Sequence, residues 1–311
     1  MSVIYAVGET ILDIIFKDDI PRSGKPGGSS FNSAVSMGRL GLPVTFISEL
    51  GNDPVGDMII RFLIENHVES RYVSRFKKGQ TAIALAFLDD NNDAVYQFYK
   101  DYPYQRLNIE FPDFSQSDYL LFGSFYALNY GIRPRIKLLL EKAVSSGSCV
   151  LYDPNFRDNH MRERDQLLEV IGENMEYADL VRGSDEDFRN IFGVSHPDEA
   201  WDAVRKHCGI MVYTANAQGV YLKTDSLSLF VEVEQIRPVS TIGAGDTFNA
   251  GLLYGLFKRG VRSADISSLD VRVWKAILKT ASEFSREVCL SYENYLPVDF
   301  VKRCRGVEPT E

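Results

Sequence analysis

Apolar residues follow two rhythms along this chain. Short apolar runs at Val3 to Gly8, Val44 to Ser48, Tyr119 to Gly123, Cys149 to Tyr152, Leu180 to Val181 and Ile210 to Tyr213 read as strands. Between them, Phe31 to Leu40, Val55 to Asn66, Arg135 to Ser145, Arg164 to Met175, Asp198 to His207, Asp246 to Lys258 and Val271 to Val288 repeat apolar residues at helical spacing. The alternation predicts an α/β fold, a mostly parallel sheet covered by helices on both faces. Functional groups of such a fold collect at the carboxyl ends of the strands.

One region departs from this pattern. Thr81 to Leu88 and Ala94 to Tyr99 are two strand-like runs joined by Asp89-Asp90-Asn91-Asn92-Asp93, with no helix between them, and predict a hairpin. Its small and aromatic residues, Ala84, Ala86, Tyr96, Phe98 and Tyr99, either pack on the main core or form a lid over a substrate. No proline-rich linker separates a second large domain, so residues 1–311 read as one domain with a small sheet appended.

Composition narrows the function classes. Hydrophobic residues make up 45% and charged residues 25% of the 311, as in an ordinary globular protein. A net charge of -9 argues against a nucleic-acid partner, and an anionic ligand would need a locally basic or N–H-rich pocket. Cys149, Cys208, Cys289 and Cys304 lack CxxC spacing, and Met1 to Phe16 lacks a basic leader, which predicts reduced thiols and a cytoplasmic location. No apolar run has the length of a membrane span, so no membrane association is expected. His67, His160, His196 and His207 show no metal-ligand spacing.

Chemistry concentrates in Ser240-Thr241-Ile242-Gly243-Ala244-Gly245-Asp246-Thr247-Phe248, at the entry to an apolar helix. Glycines there let a ligand approach the backbone, and the first N–H groups of a helix are unpaired donors with partial positive charge. An anion fits such a turn, and Asp246 beside it is a proton acceptor, a pairing that suggests phosphoryl transfer to a hydroxyl. Alone, the string reads sooner as an ordinary helix entry capped by Asp246. It fails the dinucleotide fingerprint, since position 248 is Phe, and the chain has no GxxxxGK[ST].

Four other segments bear on this choice. Gly8 to Asp13 brings a carboxylate to the end of an apolar run, where it can accept from vicinal hydroxyls or simply be solvated. Gly27-Gly28-Ser29-Ser30-Phe31-Asn32-Ser33-Ala34 is a glycine-rich helix entry whose Asn32 both donates and accepts, with Ser30 as an alternative N-cap. Asp153-Pro154-Asn155-Phe156-Arg157 follows a strand directly, which places Asn155 and Arg157 where one ligand can meet both. Ser184-Asp185-Glu186-Asp187 opens a helix, where its carboxylates either complement the helix dipole or hold Mg²⁺ through water.

Taken together, these residues resemble the ribokinase-like, PfkB-type carbohydrate kinases, and among them the fructokinases, over nearly the whole chain. Gly27 to Ala34 is similar to the N-terminal signature of that family and Ser240 to Phe248 to its DTxGAGDxF signature. Gly8-Glu9 with Asp13, Gln97-Phe98-Tyr99-Lys100, Phe122-Gly123-Ser124 and Asp153 to Arg157 carry the fructokinase likeness. The resemblance implies a three-layer α/β/α sandwich with a small β-sheet lid, its strands around 12–24 and 76–105. It further implies ATP-dependent phosphorylation of a sugar primary hydroxyl, fructose to fructose 6-phosphate, with Mg²⁺ and a monovalent cation such as K⁺ as further candidates.

In that reading the sugar is held by Asp13, Gly28 and Asn32, with Phe98, Asn155 and Arg157 as further contacts. Asp246 is the base, and the amides of Gly243, Ala244 and Gly245 form the anion hole. ATP lies over Thr214, Asn216 and Gly219, against Gly243, Gly245 and the C-terminal helix at Ser282, with Asp187 near the metal through water. Closure of the lid would exclude water, and the lid is also a candidate homodimer surface. The chain departs from the family at Ser184 and Asp187, which stand for the Asn and Glu of an NxxE motif, at Ser240 for Asp, and at Asn216 for Gly. Other acceptors (2-keto-3-deoxygluconate, ribose, a nucleoside) and a sugar-binding regulator without catalysis are the alternatives.

Overall fold

The computed structural model describes residues 2–88 and 94–305, and the turn Asp89 to Asp93 lies outside the described residues. Its first part comprises β1 (Ile4–Val7), β2 (Ile11–Lys17), β3 (Ile20–Gly27), α1 (Ser29–Arg39), β4 (Val44–Gly51), α2 (Pro54–Glu65), β5 (Val68–Phe76), β6 (Gln80–Leu88) and β7 (Ala94–Asp101). The middle contains β8 (Tyr119–Gly123), α3 (Ser124–Leu128), α4 (Arg133–Ser145), β9 (Cys149–Asp153), α5 (Arg164–Glu176), β10 (Leu180–Ser184), α6 (Asp185–Phe192) and α7 (Pro197–Val204). The last part is β11 (Met211–Thr214), β12 (Val220–Lys223), β13 (Ser228–Val231), α8 (Ala244–Lys258), α9 (Ser263–Ile266), α10 (Val271–Cys289) and α11 (Val298–Arg305).

A nine-stranded sheet runs in the order β13-β12-β11-β10-β9-β8-β1-β4-β5. From β5 to β11 all pairings are parallel, and β12 and β13 close one edge in antiparallel fashion. Alternate residues of each central strand enter opposite cores. Ile4 and Ala6 of β1 join Tyr119 and Leu121 of β8 in a core with Phe31, Leu253 and Trp274. Tyr5 and Val7 join Leu120 and Phe122 in the other, with Ile136, Ile171 and Phe188. Burial on both faces is why these strands read as unbroken apolar runs and not as alternations. The result is the three-layer α/β/α arrangement. Among the described residues, no helix is long and apolar enough to cross a membrane.

Beside it stands a four-stranded sheet in the order β3-β2-β6-β7. Its hairpin strands β6 and β7 lie where the sequence predicts them, and β2 lies parallel to β6 with Asp13 opposite Ala84. Strands β5, β12 and β13 have no counterpart among the predicted runs. In β5, Glu69, Ser70, Arg71, Ser74 and Arg75 interrupt the apolar residues of an edge strand, while β12 and β13 are four residues each. Neither feature leaves a periodic signal.

Close helix packing sets the position of α8. A Cβ on Gly251 would fall 2.5 Å from the Cα of Ala281, so α8 and α10 touch backbone to backbone. This contact and the burial of Leu252, Leu253 and Leu256 anchor α8 along its length, leaving its N-terminal turn at the sheet's carboxyl edge.

Candidate active site

The turn before α8 is shaped by its glycines. Gly243 caps the helix with φ 79°, and a Cβ there would sit 2.2 Å from the carbonyl oxygen of Asn294. A side chain is therefore excluded by both conformation and space. The N–H groups of Gly243, Gly245 and Asp246 have no acceptor among the described residues, whereas the N–H of Ala244 donates to the Thr241 carbonyl at 3.2 Å. Of the three amides expected in the anion hole, the turn thus presents Gly243 and Gly245 free, joined by Asp246 itself.

Asp246 stands in the first turn of α8 and is gripped by α1. Ser29 Oγ donates to its Oδ1 at 2.7 Å, Asn32 Nδ2 to its Oδ2 at 2.8 Å, and Ser33 Oγ to its backbone carbonyl at 2.8 Å. Burial pushes the carboxyl up to about 6, the bonds from Asn32 and Ser29 pull against this, Asp153 raises it and Arg157 lowers it. A carboxylate poised near 6 is ionised at neutral pH yet more basic than an exposed one. Asp246, Gly243, Gly245, Thr241, Ile242 and Arg157 line one cleft of about 320 Å³.

Arg157 follows β9 and pairs with Glu186 at 3.0 Å. Burial depresses its guanidinium, but Asp187, Glu186, Asp153 and Asp246 more than offset this, so it stays firmly charged. Asn155, two residues earlier, takes φ 41°, and its N–H donates to Asp153 Oδ1 at 3.0 Å.

Under the turn lies a buried network that the sequence reading misses. Arg182 of β10, 6% exposed, donates from Nη1 to Asp153 Oδ2 at 2.9 Å and from Nη2 to Thr214 Oγ1 at 2.8 Å, and Asn249 Nδ2 of α8 donates to Asp153 Oδ2 at 2.5 Å. A Cβ on Gly245 would come within 2.8 Å of Arg182 Nη1, so the glycine lets the turn settle on the guanidinium. The available signal was a lone arginine at the carboxyl end of an otherwise apolar strand, since a buried charge requires a partner.

Asp187 is occupied elsewhere. It is 2% exposed, its Oδ1 accepts from the Phe156 N–H, and its Oδ2 accepts from the N–H and the hydroxyl of Ser184 in a capping box that opens α6. Its carboxyl is raised, first by burial and then by Asp153. Ser184 and Asp187 thus close the helix entry on each other. Among the described residues, no group of His, Cys, Asp and Glu side chains forms a metal cluster.

Asp13 lies on β2, close to Gly27 at the end of β3. A Cβ on Gly27 would fall 2.5 Å from its Oδ2, and burial raises its carboxyl to about 6 with no donor among the described residues to compensate. Gly28, with φ 136°, caps α1 and accepts from the Asn32 N–H at 2.8 Å. Phe98 is 51% exposed on β7, stacked on Tyr96 with centroids 5.9 Å apart. Near Thr214, Asn216 donates to Asp185 Oδ1 at 3.1 Å and Gly219 takes φ 117°. Ser282 on α10 bonds back to the Leu278 carbonyl at 2.9 Å. Ser240 Oγ accepts from the Ile242 N–H at 3.2 Å.

Comparison with known proteins gives the family and the fold. Residues 1–282 match the model of the pfkB family of carbohydrate kinases. A fructokinase of Vibrio alginolyticus is 25% identical over 256 residues, covering 81% of this chain and 83% of that protein. The fold is similar to that of a fructokinase from Vibrio cholerae O395 bound to fructose, ADP and calcium ion, with a TM-score of 0.82 at 22% identity over 96% of both chains. An aminoimidazole riboside kinase from Salmonella enterica gives 0.82 at 21% identity over 97% of this chain and 98% of that one. With a family model spanning both glycine-rich turns and Asp246, the chain belongs to the PfkB family of carbohydrate kinases.

Proposed function

We propose that the protein transfers the γ-phosphoryl group of ATP to a primary hydroxyl of a sugar, converting fructose to fructose 6-phosphate. The observation that carries this reading is the convergence of an ionisable Asp246, free turn amides and Arg157 on one cleft. The sugar hydroxyl loses its proton to Asp246 and its oxygen bonds to the γ-phosphorus. The bond to the β-phosphate oxygen breaks, and ADP departs with that electron pair. Amides of Gly243, Gly245 and Asp246 and the Arg157 guanidinium face the charge that gathers on the phosphoryl oxygens. One such donor is worth about 3 to 4 kcal/mol, and a general base contributes roughly 10² to 10⁴-fold.

Asp13, Gly28 and Asn32 hold the sugar, and the orphaned, buried Oδ1 of Asn32 supports a hydroxyl donor there. Phe98 and Asn155 flank it. ATP spans Thr214, Asn216, Gly219 and Ser282 with its phosphates on the α8 turn. Mg²⁺ would come with ATP and neutralise its phosphates, with Asp187 near it through water. The small sheet serves as the lid, and its exposed Ile20, Phe87, Val95, Tyr96, Phe98 and Tyr99 suit a homodimer contact.

The test is ADP release from Mg²⁺·ATP with fructose, ribose, 2-keto-3-deoxygluconate and a nucleoside. Turnover strongest with fructose is the expected result. Turnover confined to another acceptor reassigns the sugar, and tight sugar binding with no ADP release favours the regulator reading.

A further inference from the structure

The inner face of the small sheet carries a second charged feature besides Asp13. Asp13 lies opposite Ala84, Ala84 lies opposite Phe98, and Lys100 follows two residues on along β7, so the three line one face. Lys100 is not a free cation. Its Nζ donates to both oxygens of Glu9, at 2.9 and 2.7 Å, and Tyr102 Oη donates to Glu9 Oε1 at 2.5 Å.

Glu9 itself abuts the acceptor turn. A Cβ on Gly28 would fall 2.3 Å from the Glu9 carbonyl oxygen, and the neighbouring Thr10 hydroxyl donates to the Gly27 carbonyl at 3.1 Å. Lys25, opposite Asp13 on β3, is likewise paired with a carboxylate, Glu293, at 2.9 Å. On this face of the small sheet an acceptor that carries its own carboxylate or phosphate therefore meets cations already neutralised, with Glu9 adding like-charge repulsion.

We propose that Glu9 is a specificity-determining residue: by holding Lys100 it rejects anionic acceptors and reserves the site for neutral sugars. This rests on the sugar-kinase reading above. Discrimination of this kind arises from what is repelled as much as from what is bound. The Lys100 and Glu9 side chains are 36% and 26% exposed, so salt screens part of the effect.

The experiment compares wild type, Glu9→Gln, Lys100→Met and the double variant, with fructose, 2-keto-3-deoxygluconate and fructose 6-phosphate as acceptors. Both kcat/KM and calorimetric binding are measured at low and high salt, with folding checked by thermal melting. Glu9→Gln should raise the anionic-to-neutral ratio about tenfold at low salt, less at high salt, and the double variant should return it to the wild-type value. Should Glu9→Gln not fold, Glu9→Ala must shift the ratio in the same direction. An unchanged ratio, or a gain that survives loss of Lys100, overturns the proposal. Absence of turnover with every sugar in the wild type would instead sink the kinase reading, while the binding measurements still report on Glu9.

Discussion

Asn32 donates from Nδ2 to Oδ2 of Asp246 at 2.8 Å across 214 positions of chain, while its own Oδ1 is buried without a partner. One amide thus holds the Asp246 carboxylate and keeps its own oxygen buried with no donor. An unmade bond of this kind costs about 1–3 kcal/mol, and a sugar hydroxyl would recover it.

Asp246→Asn should lower kcat by roughly 10² to 10⁴-fold while leaving sugar affinity largely intact. Coupled-assay kinetics alongside calorimetry would show the split, and normal turnover would remove Asp246 from the role of base. In the wild type the carboxylate must be unprotonated, so kcat/KM should rise with pH through an acid limb near 6. Because the Asn32 bond favours the charged form, Asn32→Ala should move that limb to higher pH. A limb that stays in place would mean another group controls it.

Asp13 offers a test by stability. Its folded value, about 6, lies above its ordinary 3.8, so the native state binds the proton more tightly than the unfolded chain. The sign follows: its favourable contribution is present below about pH 4 and is lost as pH rises through 6. Asp13→Asn should therefore raise Tm at pH 8, leave it unchanged near pH 4, and raise the sugar KM. Equal Tm differences at both pH values would contradict the assignment.

Removing Arg182 alone strands Asp153 beneath the α8 turn. Arg182→Met should cost about 3–5 kcal/mol in chemical denaturation, and Arg182→Met with Asp153→Asn should recover part of it. A single variant as stable as wild type would show that the pair is not holding the turn.

Gly243→Ala places a methyl group against the Asn294 carbonyl and forces φ 79° on a residue that disfavours it. We expect a loss of about 1–3 kcal/mol in stability and a kcat reduced by about 10² or more, since the turn amides must shift. A variant with normal kcat would show that the turn does not bind the phosphoryl group.

What the sequence determined by itself was local. Apolar runs buried on both faces announced the parallel strands, helical spacing announced the covering helices, and glycines with Asp246 announced the entry to α8 with its free N–H groups, because each signal is contained within a few neighbouring residues. Edge strands such as β5 lacked that signal. Which side chains meet was decided only by the tertiary structure. Ser29 and Asn32 reach Asp246, Arg182 ties Asp153 to Thr214, Lys100 closes on Glu9, and Asp187 turns back on Ser184 and Phe156. Except for the Ser184 bond, these partners lie tens to hundreds of residues apart. Strand order brings them together, and burial then makes an unpaired charge or polar atom too costly to leave alone.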